Sequence, residues 1–210
     1  MENHLVDSVD LDKITLNKPK KNELFMVSKV KYSGTSDLTI QMPKMKLILN
    51  ESIVLLEFLN NKGYSKKVCD FLSTLDSKLL EYIYKKSEEW FGKKIPIEKI
   101  TEMYSGSIIG SIDSEGSECT RIKVNINKKD TSLIDKKNNE LELSDYKNNS
   151  TVECICRLKY VVFSKDKCVP VWEMVIMKLI LKVNRVPKNA FIEEEENNSE
   201  NDAIEEYSFF

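Results

Sequence analysis

TVECICRLKYVVF (151–163), followed by SKDKC (164–168) and VPVWEMVIMKLILKV (169–183), is the stretch whose reading decides the fold. Both long runs are dense in Val, Ile and aromatic residues, which favour a pleated, half-buried surface, and a short polar connection separates them. They are too β-branched and too short to be two helices of a bundle. They read as two long strands, and the rest of the chain is judged against that.

Working outward, CTRIKVNI (119–126) alternates, with Ile122, Val124 and Ile126 facing one way and Arg121, Lys123 and Asn125 the other. ELFMVSKVKY (23–32) and LTIQM (38–42), separated by the turn signal SGTSD, predict a hairpin or meander pair. Pro43 then calls for a bulge, a bend or an edge position before KMKLIL (44–49) resumes. NESIVLLEFL (50–59) lacks a clean period and stays open between strand and helix. Between these runs, Val68, Phe71, Leu72, Leu75, Leu79, Tyr82, Ile83, Trp90 and Phe91 recur at three- and four-residue steps. That spacing predicts one amphipathic helix over 65–91, stopped by Gly92. IPIEKITEMY (95–104) predicts a short helical turn beginning near Pro96.

The expected fold is therefore mainly β with one long helix (α+β). It is organised as an oligonucleotide/oligosaccharide-binding (OB) fold-like barrel of five or six strands over residues 23–186. Residues 1–22 read as an N-terminal arm, 128–150 as a long polar loop, and 187–210 as a disordered acidic and aromatic C-terminal tail. Alternation alone also allows a sandwich with a helical insertion.

A length of 210 residues with 41% apolar content suits one sizeable domain with appendages. No apolar run is long enough for a membrane span, and the N-terminus lacks the parts of a signal peptide, so a soluble intracellular protein is expected. The five cysteines form no CxxC pair and His4 is the only histidine, which argues against zinc. Cys154 and Cys156, at i and i+2 on a strand, read as buried free thiols in a reducing compartment. No glycine-rich phosphate loop and no nucleophile–base motif occurs, so neither cofactor, metal nor enzymatic activity is expected.

The net charge of −2 hides an asymmetry. Residues 193–210 hold eight acids and no base, which leaves 32 bases against 26 acids, a net +6, on the body. A basic body with an acidic tail points to a polyanion partner or to self-interaction. The strands place cations at two-residue steps, Lys29 and Lys31, Lys44 and Lys46, Arg121 and Lys123, Arg157 and Lys159, so each pair emerges on one face. Tyr32, Tyr160, Phe163 and Trp172 stand close by in sequence. Cations that neutralise phosphates and rings that stack bases are what sequence-tolerant single-strand binding requires. Taken singly, each lysine is also an ordinary solvated side chain and each ring an ordinary core residue, and the tail tilts the sum. Its last six residues, EEYSFF, put Tyr207, Phe209 and Phe210 behind Glu205 and Glu206, an association liability unless something binds them.

An acidic C-terminus ending in Phe, on a basic and OB-like body, resembles the single-stranded DNA-binding proteins of the bacteriophage T-seven type. DLTIQMPKMKL (37–47) and VPVWEMVIMKLIL (169–181) are similar to segments of their relatives in nucleocytoplasmic large DNA (giant) viruses. The resemblance implies an OB fold and cooperative or dimeric binding of single-stranded DNA. It also implies contacts with a replicative polymerase and a helicase or primase through Phe210 and the acids before it. It further implies a role in viral DNA replication and recombination, in a replication factory of the host cytoplasm, in the nucleus or in the virion. Two other readings stand beside it: a virion or scaffold interaction protein, and a chaperone of basic proteins acting through the acidic tail. Stacking and phosphate neutralisation leave RNA open as the ligand.

Overall fold

Val152, Cys154, Cys156 and Leu158 are buried at every second position of the 151–163 run, while the residues between them are half exposed, the signature of a strand with one face on a core. The computed structural model describes residues 4–22, 24–34, 36–50, 53–112, 118–127 and 129–181. In chain order the strands are β1 (Ile14–Leu16), β2 (Lys20–Asn22), β3 (Phe25–Tyr32), β4 (Leu38–Gln41), β5 (Met45–Asn50), β6 (Ile53–Phe58), β7 (Ile108–Ile112), β8 (Glu118–Asn125), β9 (Ser132–Ile134), β10 (Thr151–Phe163) and β11 (Cys168–Leu181). The helices are α1 (Gly63–Phe91) and α2 (Ile97–Met103).

Five strands close into a barrel. β5 pairs with β6, β6 with β8, β8 with β11, β11 with β10, and β10 returns to β5 through Thr151↔Lys46 and Val152↔Met45. Every pairing is antiparallel except β8–β11, which is parallel at Trp172↔Val124. Numbered along the chain, the ring runs first, second, third, fifth, fourth and back to first. A closed five-stranded barrel of this kind is consistent with an OB-like fold. Register shifts in the β10–β11 pair, at Ile155/Cys156 and Leu158/Tyr160, are bulges that add the bend closure needs. Met45, Leu47, Leu56, Ile122, Val124 and Met174 fill the interior.

α1 buries Val68, Leu72, Leu75, Leu79 and Ile83, the positions that its spacing predicts, each stabilising the fold by about 1.5–3 kcal/mol. It begins two residues earlier than expected and ends as expected, with Gly92 in the left-handed conformation at φ 72°. The ambiguous 50–59 run contributes β6, because its partners β5 and β8 supply the hydrogen bonds that its own sequence leaves open.

Three expectations need correction. β3 and β4 do not form a hairpin ladder with each other; both pair with β10, at Tyr160↔Lys29 and Cys156↔Ile40. Residues 4–22 are not a free arm, since β1 and β2 pair with β3, and Val6, Ile14 and Leu16 are buried. Nor is 128–150 simply a solvated loop: β9 adds to β11, and the hydroxyl of the buried Tyr146 donates to Met177 O at 2.7 Å, with Ile134 O sharing the same hydrogen at 3.1 Å. In the last two cases a few apolar residues in a polar segment are held by partners far away in the chain.

Candidate nucleic-acid interface

The outward face of the barrel is built by strand alternation. On β8, Ile122 and Val124 point into the core, so Arg121, Lys123 and Asn125 point out. Cross-strand register then sets their neighbours. Lys46 stands beside Glu57, and Glu57 beside Arg121. Farther along, Asn125 stands beside Glu173, Glu173 beside Arg157, and Tyr160 beside Lys29. Six cations, Lys29, Lys46, Arg121, Lys123, Arg157 and Lys159, thus share the outer surface with four carboxylates, Glu57, Glu173, Asp37 and Glu153.

Those carboxylates organise the cations. Glu57 accepts from Lys46 Nζ at 3.0 Å and from Arg121 Nε at 2.8 Å. Burial pushes the Glu57 carboxyl up, but the hydrogen bonds from Arg121 and Lys46 outweigh it and hold the group below the usual carboxylate range. Glu173 accepts from Arg157 Nη2 at 2.8 Å and from Lys159 Nζ at 2.9 Å, and Asp37 accepts from Arg157 Nη1 at 3.3 Å. Burial works against the charge on Arg157 and Lys159, and Glu173 reverses it, so both cations stay above their ordinary pKa. The buried Nε of Arg157 has no hydrogen-bond partner among the described residues. The arrangement is a set of pre-oriented, charged hydrogen-bond donors whose positive charge is half cancelled around Glu57 and fully matched by Glu173 and Asp37 around Arg157.

The predicted residues divide into groups. Lys46, Arg121, Arg157 and Lys159 are brought together in the two ion-pair ladders. Lys29 and Lys123 are exposed and make no ion pair among the described residues. Lys44 lies at the edge, 4.0 Å from Glu153, and Lys31 is half-buried on β3. Tyr160 is half exposed, with Lys159 Nζ 5.3 Å from its ring centre. Tyr32 and Trp172 do not fit the stacking role expected of them. Tyr32 is 6% exposed and its hydroxyl accepts from Asp10 N, while Trp172 is 2% exposed and inside the barrel. Their rings fill core, which leaves no face for a base. Glu205, Glu206, Tyr207, Phe209 and Phe210 lie outside the described residues.

One functional-looking group escaped the sequence reading. Asp76 on α1 accepts from Tyr104 Oη, Ser107 N and Ser107 Oγ at 2.7–2.8 Å, and Ser107 Oγ in turn accepts from Trp172 Nε1 at 3.0 Å. Burial pushes the Asp76 carboxyl up despite these three donors. The network joins α1 to β11 beneath the outer face and has the character of a support. Burial likewise raises the thiols of Cys154, Cys156 and Cys168, the last to about 12, which makes them poor nucleophiles. Among the described residues no cluster of His, Cys, Asp and Glu is suited to a metal ion, and no helix is long and apolar enough to cross a membrane.

Residues 59–193 match a family of unknown function, DUF5871. No curated protein matches the sequence. Among solved structures, the chain is similar to gp2.5, a single-stranded DNA-binding protein encoded by bacteriophage T7, at 10% identity and a TM-score of 0.47, covering 73% of this chain and 97% of that one. It is also similar to the single-stranded DNA-binding protein from bacteriophage Enc34, at 10% identity and a TM-score of 0.42, covering 85% and 96%. The same Enc34 protein in complex with single-stranded DNA matches at 11% identity and a TM-score of 0.39, covering 80% and 97%.

Proposed function

The chain belongs to the family of unknown function DUF5871, and for this member we propose single-stranded DNA binding on the outer face of the barrel. The observation that carries this reading is the outer surface itself: six cations against four carboxylates, with the half-exposed Tyr160 ring among them. Phosphates pair with Lys29, Lys123 and the Lys46–Glu57–Arg121 ladder, which keeps one net positive charge, and Tyr160 stacks a base. Phosphate pairing and ring stacking do not read base edges, so binding is expected to tolerate any sequence.

The acidic segment that ends in Phe210 serves as a docking element for other replication proteins, a polymerase and a helicase or primase, in viral DNA replication and recombination. The charge asymmetry between body and tail supports this part of the reading.

Titration of labelled oligo-dT at several salt concentrations tests the binding. Affinity is expected to be micromolar or tighter at low salt and to fall with a log–log slope of about −0.7 per phosphate contact. Weaker binding, or a flat salt response, would overturn the assignment.

A further inference from the structure

A cavity of about 430 Å³ opens where the end of α1, α2, the start of β3 and the β10–β11 turn meet. Its walls include Phe25, Phe91 and Phe163, and its lining is apolar apart from Ser164 and three lysines, Lys21, Lys93 and Lys165. All three lysines are exposed, and none of the lining residues is acidic. Leu24 and Phe25, at 83% and 46% exposure, stand at its mouth. The cavity is distinct from the outer cationic face. Phe163 and Met26 face each other three residues along from the Tyr160–Lys29 pair, and strand alternation puts them on the opposite side of the sheet.

The chemistry of such a site selects its occupant. A nucleobase brings several polar edge atoms, and this lining has almost nothing to pair them with, so burying a base here would leave donors and acceptors unsatisfied. A phenyl ring has no such cost and gains edge contacts with the three Phe rings, two of which already meet edge to face at 5.7 Å, Phe91 against Phe163. Three cations on the rim call for carboxylates a few residues from that ring. The chain carries one segment of this description: 201–210, NDAIEEYSFF, which has Phe209 and Phe210 behind Glu205 and Glu206 and no base.

Length permits the contact. β11 ends at Leu181, about 40 Å from the 164–167 turn along a straight strand. The 29 residues that follow Leu181 can extend to about 95 Å. We infer that this pocket is a docking site for the chain's own C-terminal segment, with Phe210 or Phe209 in the cavity and Glu205 and Glu206 on Lys21, Lys93 and Lys165. The inference does not depend on nucleic-acid binding.

Photo-crosslinking of the full chain carrying Phe210→p-benzoylphenylalanine, in the absence of DNA and read by mass spectrometry, tests it. Crosslinks are expected within one chain, to the segments around Phe25, Phe91, Met103 and Phe163. The triple variant Lys21→Glu, Lys93→Glu, Lys165→Glu changes only exposed side chains and is expected to lower their yield roughly tenfold, the order set by three exposed ion pairs. Crosslinks confined to the outer face of β8 and β10, crosslinks only between differently isotope-labelled chains, a yield indifferent to the three charges, or no crosslinks at all would each overturn the assignment. Oligo-dT binding by the triple variant, measured alongside, reports separately on the outer face.

Discussion

At the scale of single residues, burial separates two aromatics that look alike in sequence. Tyr160 and Trp172 both sit on long strands among cations, but a bulge at Leu158/Tyr160 turns Tyr160 outward while Trp172 stays in phase with the core. Tyr160→Ala is expected to weaken oligo-dT binding roughly tenfold, the share of one stacked base. Trp172→Phe is expected to leave affinity unchanged and to cost about 1–3 kcal/mol of stability, because it opens a cavity in the core and removes the donor to Ser107 Oγ. Binding curves and urea unfolding of the two variants check the pair, and equal losses of affinity would refute the division. The cations carry the same lesson. Arg121 and Lys46 read as free charges in sequence, yet both are held by Glu57, 64 and 11 residues away.

At the scale of elements, local rules governed where pieces end and distant partners governed what they join. α1 was legible because its apolar residues repeat with the period of the helix and because Gly92 takes a left-handed conformation that other residues enter at a cost. Gly92→Ala is expected to destabilise the protein by about 1 kcal/mol, and Gly92→Asn by less, by urea unfolding; no Cβ clash stands in the way, so strain in φ is the only term. Equal stability of all three chains would contradict the capping role. β10 and β11 were legible for a different reason, their density of β-branched and aromatic residues on either side of a short polar connection. β1, β2 and β9 were not, because three-residue strands show too little alternation to stand out from a polar loop. β7 likewise escaped notice, since Ile109 and Ile112 are exposed and the strand buries no regular face.

At the scale of the whole molecule, the barrel and α1 are tied through Asp76, and that tie gives stability a pH dependence. The Asp76 carboxyl is raised in the folded state, so the folded protein holds its proton more tightly than the unfolded chain does. Its contribution to stability therefore falls as pH rises from the ordinary carboxylate value to the raised one. In urea unfolding from pH 4 to 8, the stability of Asp76→Asn relative to the parent is expected to increase with pH across that window and then level off. A difference that stays constant with pH, or shifts against the variant as pH rises, would show that Asp76 is not the group responsible. The sequence by itself determined a β-rich chain with one long helix, a basic body and an acidic aromatic tail, because period, cap and charge are properties of neighbouring residues. Only the tertiary structure decided that the ring closes through β10 and β5, that Glu57 and Glu173 hold four of the predicted cations, and that the phenylalanines of β3, α1 and β10 meet beneath three lysines. Those contacts depend on the register of strands that lie far apart in the chain, and a shift of one residue would turn each side chain to the opposite face.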